Sequence, residues 1–358
     1  GRTLPEAGRR LLPNAERTLK SPREMAALFT DMPGVVDRSV ELAQRCSFDL
    51  DQLSYRYPQE AVPAGESADG FLGRLAGEGL VRRLGAARAR QLRGQLEREL
   101  TVIAELNYAG YFITMWEVVQ YCRRRGILCQ GRGSAANSLV CYATGITSVS
   151  PDQIDMLFER FLSVERREPP DIDLDIEHDR REEVIQHVYD KYGREHAAMV
   201  AEVIRYRTRS AIRDVGKALG LGEQTVLRIS RFCAHGWEGN EQAAARAAGL
   251  DPSGATWQRL LELSRELEHF PRHLSIHVGG FVLASEPIAR IVPIENARMA
   301  RRTVIQWDKD DIDALRIFKV DLLGLGMLNC IARAFRLVAR HYGQELELHT
   351  CLLYTSPS

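Results

Sequence analysis

Apolar and acidic positions alternate strictly in one short segment, Pro170-Asp171-Ile172-Asp173-Leu174-Asp175-Ile176. A period of two predicts an extended strand with Ile172, Leu174 and Ile176 on one face and Asp171, Asp173 and Asp175 on the other. Elsewhere the period is closer to that of a helix. Two short helices are expected over residues 21–46, broken at Pro33-Gly34, followed by a Pro- and Gly-rich loop over 55–70. A long helix is expected over 87–106 and another over 112–125, ended by Gly126. A short apolar strand, Ile127-Leu128-Cys129, then runs into Gly131-Arg132-Gly133-Ser134-Ala135-Ala136-Asn137-Ser138 and an apolar helix over 139–144. Amphipathic helices follow over 180–192, with Val184, Ile185, Val188 and Tyr192 on one side, and over 208–219. Residues 222–268 read as polar helices with no strand signal. Strand character returns at 277–284, 303–305 and 317–320. A sheet interrupted by a helical block and then resumed is an α+β arrangement with a discontinuous domain.

A chain of 358 residues can bury more than one core, so two or three subdomains are expected. The composition, 45% hydrophobic and 27% charged, is that of a globular protein, with no apolar run near the roughly 18 to 20 residues needed to cross a bilayer. The Arg-rich first 17 residues lack the apolar centre of a signal peptide, and a cytoplasmic protein without a membrane partner is expected. The seven cysteines form no Cys-x-x-Cys pair, which argues against structural zinc and for reduced thiols. Net charge is zero, so contact with nucleic acid must come from local basic patches.

The acidic strand carries the strongest chemical signal. Carboxylates about 6 to 7 Å apart along one face repel unless a positive charge sits among them. The natural occupant is a divalent cation, foremost Mg2+, which takes a few carboxylates together with water and phosphate oxygens. A solvated edge strand is the plain alternative, although Asp is depleted in strands. A calcium loop through Asp171, Asp173, Asp175 and Glu182 fails because Ile176 stands where the sharp turn needs glycine. The strand, glycine turn and helix around 131–138 have the arrangement that aims backbone N–H groups at an anion; Gly133 permits close approach, and Ser134 is positioned by sequence to cap the helix and donate to a phosphate oxygen. An ordinary structural turn would read the same. Arg160 is a candidate phosphate clamp, with Arg166 and Arg167 as further cations or surface ion pairs. Lys319 and Asp321 share a strand face, as a metal ligand beside a phosphate-binding cation or as a plain salt bridge. Asp308, Asp310, Asp311 and Asp313 read as helix-start acids. Arg205, Arg209, Arg213 and Lys217 recur every four residues as a stripe that could follow a nucleic-acid backbone or simply be solvated. His277 reads as a strand histidine near a turn, with no catalytic role.

Taken in order, Gly131-Arg132-Gly133-Ser134, Leu157-Phe158-Glu159-Arg160-Phe161, Pro170 to Asp175, His277-Val278-Gly279-Gly280 and Lys319-Val320-Asp321-Leu322-Leu323-Gly324-Leu325 resemble the palm and thumb of the bacterial C-family DNA polymerases, the family of the replicative polymerase III alpha subunit. The wording from Glu168 to Val184 is closest to the error-prone, damage-tolerant branch. The resemblance implies a nucleotidyltransferase palm like that of DNA polymerase beta, a mixed sheet with flanking helices interrupted by a helical thumb. It implies a first palm segment with a helical start over 1–202, the thumb over 203–275, and the second palm segment and start of the fingers over 276–345. It places the metal-binding carboxylates on Asp171, Asp173 and Asp321, with Asp175 in a supporting part, and the nucleotide phosphates near Gly133, Ser134, Arg160 and Lys319. It implies two Mg2+ ions, a deoxynucleoside triphosphate and primer-template DNA, the helical thumb gripping the duplex.

Family members also carry a phosphoesterase-like domain, complete fingers, a clamp-binding region and an OB-fold, none of which this sequence contains. Sliding-clamp and accessory translesion partners are therefore expected of the longer protein only, and this stretch alone is expected to polymerise poorly. Residues 351–358, Cys-Leu-Leu-Tyr-Thr-Ser-Pro-Ser, match what a sequencing-library adapter encodes when translated, and are expected to be non-native. Two rivals remain at this level: a non-catalytic DNA-binding subunit with the same palm shape, and another metal-dependent nucleotidyltransferase. The position of Asp321 relative to Asp173 discriminates among them.

Overall fold

The computed structural model describes residues 3–351 apart from 13, 15, 33, 54, 59, 152–157, 159–161, 163–171, 234–238 and 240. Along the chain the helices are α1 (Leu4–Ala7), α2 (Pro22–Leu28), α3 (Val35–Arg45), α4 (Ala68–Glu105), α5 (Ala109–Arg124), α6 (Leu139–Thr144) and α7 (Arg181–Tyr192). They continue with α8 (Thr208–Ala218), α9 (Glu223–Phe232), α10 (Glu241–Ala247), α11 (Ala255–Leu267), α12 (Lys309–Ala314), α13 (Gly326–Tyr342) and α14 (Leu348–Cys351). The strands are β1 (Cys129–Arg132), β2 (Asp173–Glu177), β3 (Ala197–Arg205), β4 (Pro271–Leu283), β5 (Ile294–Asn296), β6 (Thr303–Ile305) and β7 (Lys319–Leu325). Among the described residues no helix is long and apolar enough to cross a membrane.

The chain forms two compact units, one of Gly1–Asp49 with Val203–Leu274, the other of Leu50–Glu202 with Ser275–Ser358. In the first, α8 to α11 close over a core that includes Ile212, Val226, Ile229, Leu260 and the fully enclosed Trp257. In the second, a seven-stranded sheet runs β1-β2-β7-β4-β3-β6-β5. It is mixed: β2 with β7 and β3 with β6 are parallel, whereas β1 with β2, β4 with β7 and β5 with β6 are antiparallel. With helices packed against it, this is the expected α+β architecture, and it accords with a palm-type nucleotidyltransferase fold. One core, through Leu72, Phe112, Leu139, Ile172, Leu174, Ile176 and Leu322, joins α4, α5 and α6 to the acidic strand. A second, through Val200, Val282, Ile305 and Ile312, fills in around β3, β4 and β6.

Several boundaries depart from the sequence pattern. Helix α4 starts at Ala68, far ahead of the expected residue 87, with non-helical dihedrals at Gly85. Its glycine-rich first half is a poor helix by propensity and is held by burial of Phe71, Leu72, Ala76 and Leu80. The expected strand at 127–129 begins only at Cys129, because Ile127 N donates to Cys122 O at 2.8 Å to close the end of α5. Strand β3 was not legible: Ala197 to Ala201 are buried on both faces, so no alternation marks them. The acids at 308–313 behave as expected, Asp308 capping α12 by accepting from Asp310 N and Asp311 N.

Helices α4 and α6 meet backbone to backbone at Gly79, where an added Cβ would lie 2.0 Å from Ala143 O. Replacing Gly79 by alanine must push α6 away, and the expected cost is about 1 to 3 kcal/mol, read as a lowered urea midpoint with unchanged slope. A midpoint equal to that of the unsubstituted protein would show that the two helices part without cost.

Candidate active site on the acidic strand

Two carboxylates meet because two strands pair in parallel. In the β2–β7 register Asp173 is the direct partner of Asp321, on neighbouring strands about 5 Å apart. The starts of both strands are tied by Tyr111, whose buried hydroxyl accepts from Ile172 N at 3.1 Å and donates to Lys319 O at 3.4 Å. On the other side β4 pairs with β7 only as far as Gly280, opposite Asp321. There His277 Nδ1 accepts from Gly280 N at 2.7 Å and Gly279 N at 3.3 Å. Beyond that point Arg181 takes over from the ladder, its Nε donating to Leu322 O at 2.6 Å and its Nη2 to Val278 O. The strand carrying Asp321 is therefore clamped on both sides by side chains.

The acid face is not open to water, as an edge strand's would be. Asp175 and Asp321 are buried, and the positive charge that their burial requires comes from the protein itself. Arg132, at the end of β1 opposite Asp173, contacts Asp175 Oδ1 through Nε at 3.0 Å and Asp173 Oδ2 through Nη2 at 3.4 Å. Burial pulls the Arg132 pKa down, but the charges of Asp175 and Asp173 outweigh it and hold it above its ordinary value. Lys319, on the same face as Asp321, donates to Asp321 Oδ2. The other oxygen, Asp321 Oδ1, is buried with no hydrogen-bond partner among the described residues. His277 Nδ1 lies 3.7 Å from it, beyond hydrogen-bond distance, and faces the N–H groups of Gly279 and Gly280.

An unsatisfied buried carboxylate oxygen beside a second carboxylate is a donor set of hard oxygens that suits a divalent cation such as Mg2+. Among the described residues no three His, Cys, Asp or Glu side chains converge into a ready-made metal cage. The third acid of the sequence reading, Asp171, lies outside the described residues, as do Arg160, Arg166 and Arg167.

The glycine turn lies next to the acids. Residues Gly133–Asn137 form a 3-10 turn directly after β1, with Gly133 at φ +68°, and a Cβ there would sit 4.0 Å from Asp173 Oδ2. Two expectations for this segment are corrected. Ser134 does not cap the helix: it lies inside the 3-10 turn, and Ser138 caps α6 by accepting from Cys141 N at 3.1 Å. Nor is the start of α6 available to an external anion. The buried Glu99 carboxylate already accepts from Leu139 N and Val140 N, each at 3.1 Å, and from Ser138 Oγ at 3.0 Å. Any phosphate at this turn must use Gly133 and Ser134 themselves.

In the other unit the basic stripe is shorter than expected. Arg209, Arg213 and Lys217 are exposed on α8, opposite the buried Ala211, Ile212 and Val215, but Arg205 ends β3 and is not on the helix. Reading the sequence missed Arg132, Tyr111, Glu99 and Arg181. Only Arg132, inside the Gly-Arg-Gly-Ser turn, had a visible signal.

Residues 70–324 match the family described as the bacterial DNA polymerase III alpha NTPase domain. A protein of Bradyrhizobium sp. (strain ORS 278) named error-prone DNA polymerase is 53% identical over 347 residues, which cover 97% of this chain and 30% of that protein. Proteins of the same name from Brucella suis biovar 1 and Ruegeria pomeroyi are 51% and 50% identical, over 96% and 97% of this chain. The chain spans 30 to 32% of the length of these relatives.

Burial pushes the Glu99 carboxyl above the usual carboxylate range, against the opposing hydrogen bonds from Leu139, Val140, Gln95 and Ser138. A raised folded pKa means the folded chain holds this proton more tightly than the unfolded one. The associated stability is complete below the unfolded carboxylate value of about 4.3 and is lost as pH rises through the folded value. Relative to Glu99→Gln, which does not titrate, the unsubstituted protein should gain stability in urea unfolding as pH falls from 7 towards 4, then level off. A difference that stays flat with pH would contradict it.

Proposed function

Because the chain belongs to the bacterial DNA polymerase III alpha NTPase domain family, we propose that it carries the catalytic palm of an error-prone, DNA-directed DNA polymerase. The reaction is transfer of a nucleotidyl group from a deoxynucleoside triphosphate to a primer 3'-hydroxyl, in repair synthesis across damaged template. The observation that supports this reading best is the register match of Asp173 with Asp321, one oxygen of which is buried with no hydrogen-bond partner among the described residues, beside the Gly133–Ser134 turn.

Asp173 and Asp321, with Asp171, would hold two Mg2+ ions, whose chemistry when bound is to activate the hydroxyl and stabilise the leaving pyrophosphate. The chain's own groups do the rest. Gly133, lacking a side chain, lets the triphosphate approach the backbone next to Asp173, and the Ser134 hydroxyl donates to a phosphate oxygen. Lys319 donates to Asp321 and presents positive charge to the phosphates, and Arg160 adds a second cation. Tyr111 and Arg181 hold β7 in place, so that the carboxylates need no rearrangement before the hydroxyl attacks. The division into palm (1–202 and 276–345) and thumb (203–275) belongs to the same reading, except that Gly1–Asp49 clusters with the thumb segment and not with the palm. Arg209, Arg213 and Lys217 contact duplex phosphates from the thumb, with Arg205 next to them in sequence. A scaffold without chemistry is disfavoured, since it gains nothing from facing carboxylates that must be neutralised from within.

Primer extension by the longer protein that carries this palm tests the assignment. Asp173→Ala should fold normally and lose extension by at least about a hundredfold; equal extension by variant and unsubstituted protein would remove the polymerase reading. The thumb stripe has its own test. Arg213→Gln should weaken duplex binding about equally for unrelated sequences and reduce the slope of log affinity against log salt by about one. An unchanged slope would return α8 to a solvated surface.

A further inference from the structure

Arg132 and Lys319 both neutralise the acid face, but they are built differently. Lys319 is enclosed, its side chain 9% exposed, and it pairs with Asp321. The Arg132 side chain is 48% exposed and forks between two carboxylates. The two arms of the fork are unequal. The Nε contact to Asp175 is a hydrogen bond at 3.0 Å to a carboxylate whose side chain is only 10% exposed. The Nη2 contact to Asp173 is longer, 3.4 Å, and that carboxylate is 21% exposed. A buried carboxylate with a good hydrogen bond is costly to abandon, whereas a long contact between partly hydrated groups is cheap to break.

We propose that Arg132 is a displaceable counter-cation: anchored on Asp175, it neutralises Asp173 until a divalent cation takes that carboxylate, and then pairs with Asp175 alone. The proposal rests on the metal-site reading above and gives Asp175 a distinct part, as the post on which the guanidinium turns. It follows from the chemistry of the fork. A planar guanidinium can bridge two carboxylates with separate N–H groups, so releasing one arm costs little and leaves the other bonded. An ammonium at the same position, a compact point charge on a shorter reach, cannot serve both. A cation binding at Asp173 must therefore break one Arg132 arm, and its affinity is lower by that amount.

The test is Mn2+ binding by the whole chain at low salt without nucleotide or DNA, followed by the electron paramagnetic resonance signal of free Mn2+. Arg132→Gln should bind Mn2+ roughly three- to fivefold more tightly than the unsubstituted protein, the size of a partly exposed ion pair. Arg132→Lys, which keeps the charge but not the fork, should also bind more tightly. The advantage of both variants should shrink as NaCl is raised. Affinity unchanged or weakened in Arg132→Gln would overturn the displacement. Tighter binding in Arg132→Gln with unsubstituted affinity in Arg132→Lys would show that charge alone acts, and would overturn the bridging role. Absence of Mn2+ binding in the unsubstituted protein and both variants would instead overturn the metal site on which the proposal stands.

Discussion

Two carboxylates held opposite each other on adjacent strands, with a third turned inward beside them, are an electrostatic debt that the rest of the second unit is arranged to meet. Parallel pairing of β2 with β7 creates it by setting Asp173 against Asp321. Burial of Asp175 and Asp321 sharpens it, because screening by water is lost where they lie. Arg132 answers from β1 and Lys319 from β7 itself, yet Asp321 Oδ1 is left without a partner among the described residues. One buried oxygen is thus left unmatched inside an otherwise neutralised cluster, which is what the proposed cation site requires.

Holding those charges in place is a task for the backbone, and the surrounding side chains bond mainly to backbone groups. Tyr111 links Ile172 N to Lys319 O, Arg181 holds two carbonyls past the end of the β4–β7 ladder, and His277 gathers the N–H groups of Gly279 and Gly280. Glu99 does the same from below for the start of α6, just after the glycine turn. Apart from the exposed Val278 carbonyl, the groups they bond are buried or half-buried and would otherwise lack a partner. The β4–β7 ladder stops beside Asp321, and these side chains take over from its hydrogen bonds.

Much of this was visible along the chain and some was not, for reasons that are physical. Alternation over Ile172 to Ile176 and over Lys319 to Asp321 declares strands and faces, because period two is a local property. The β2–β7 register is not local, so the meeting of Asp173 with Asp321 rested on resemblance until the pairing was seen. Arg132 and Glu99 act across gaps of about 40 residues in sequence, the one on Asp173 and Asp175, the other on Ser138 to Val140. Ser134 and Ser138 are equally plausible caps by type, and only the 3-10 turn between them decides for Ser138. Strand β3 and the first half of α4 escaped because burial, not pattern or propensity, holds them.

The β2–β7 pairing also dates the site within the life of the chain. Asp173 and Asp321 stand 148 positions apart, and loop closure over such a span must be met before the contact returns anything. During synthesis at about 5 to 20 residues per second, roughly 7 to 30 seconds separate the two aspartates. Throughout that interval the acidic strand exists without its partner strand. Of the two counter-charges, Arg132 is made before the acidic strand and Lys319 only about 150 residues after it, so until then the guanidinium is the one of the pair within reach of these acids.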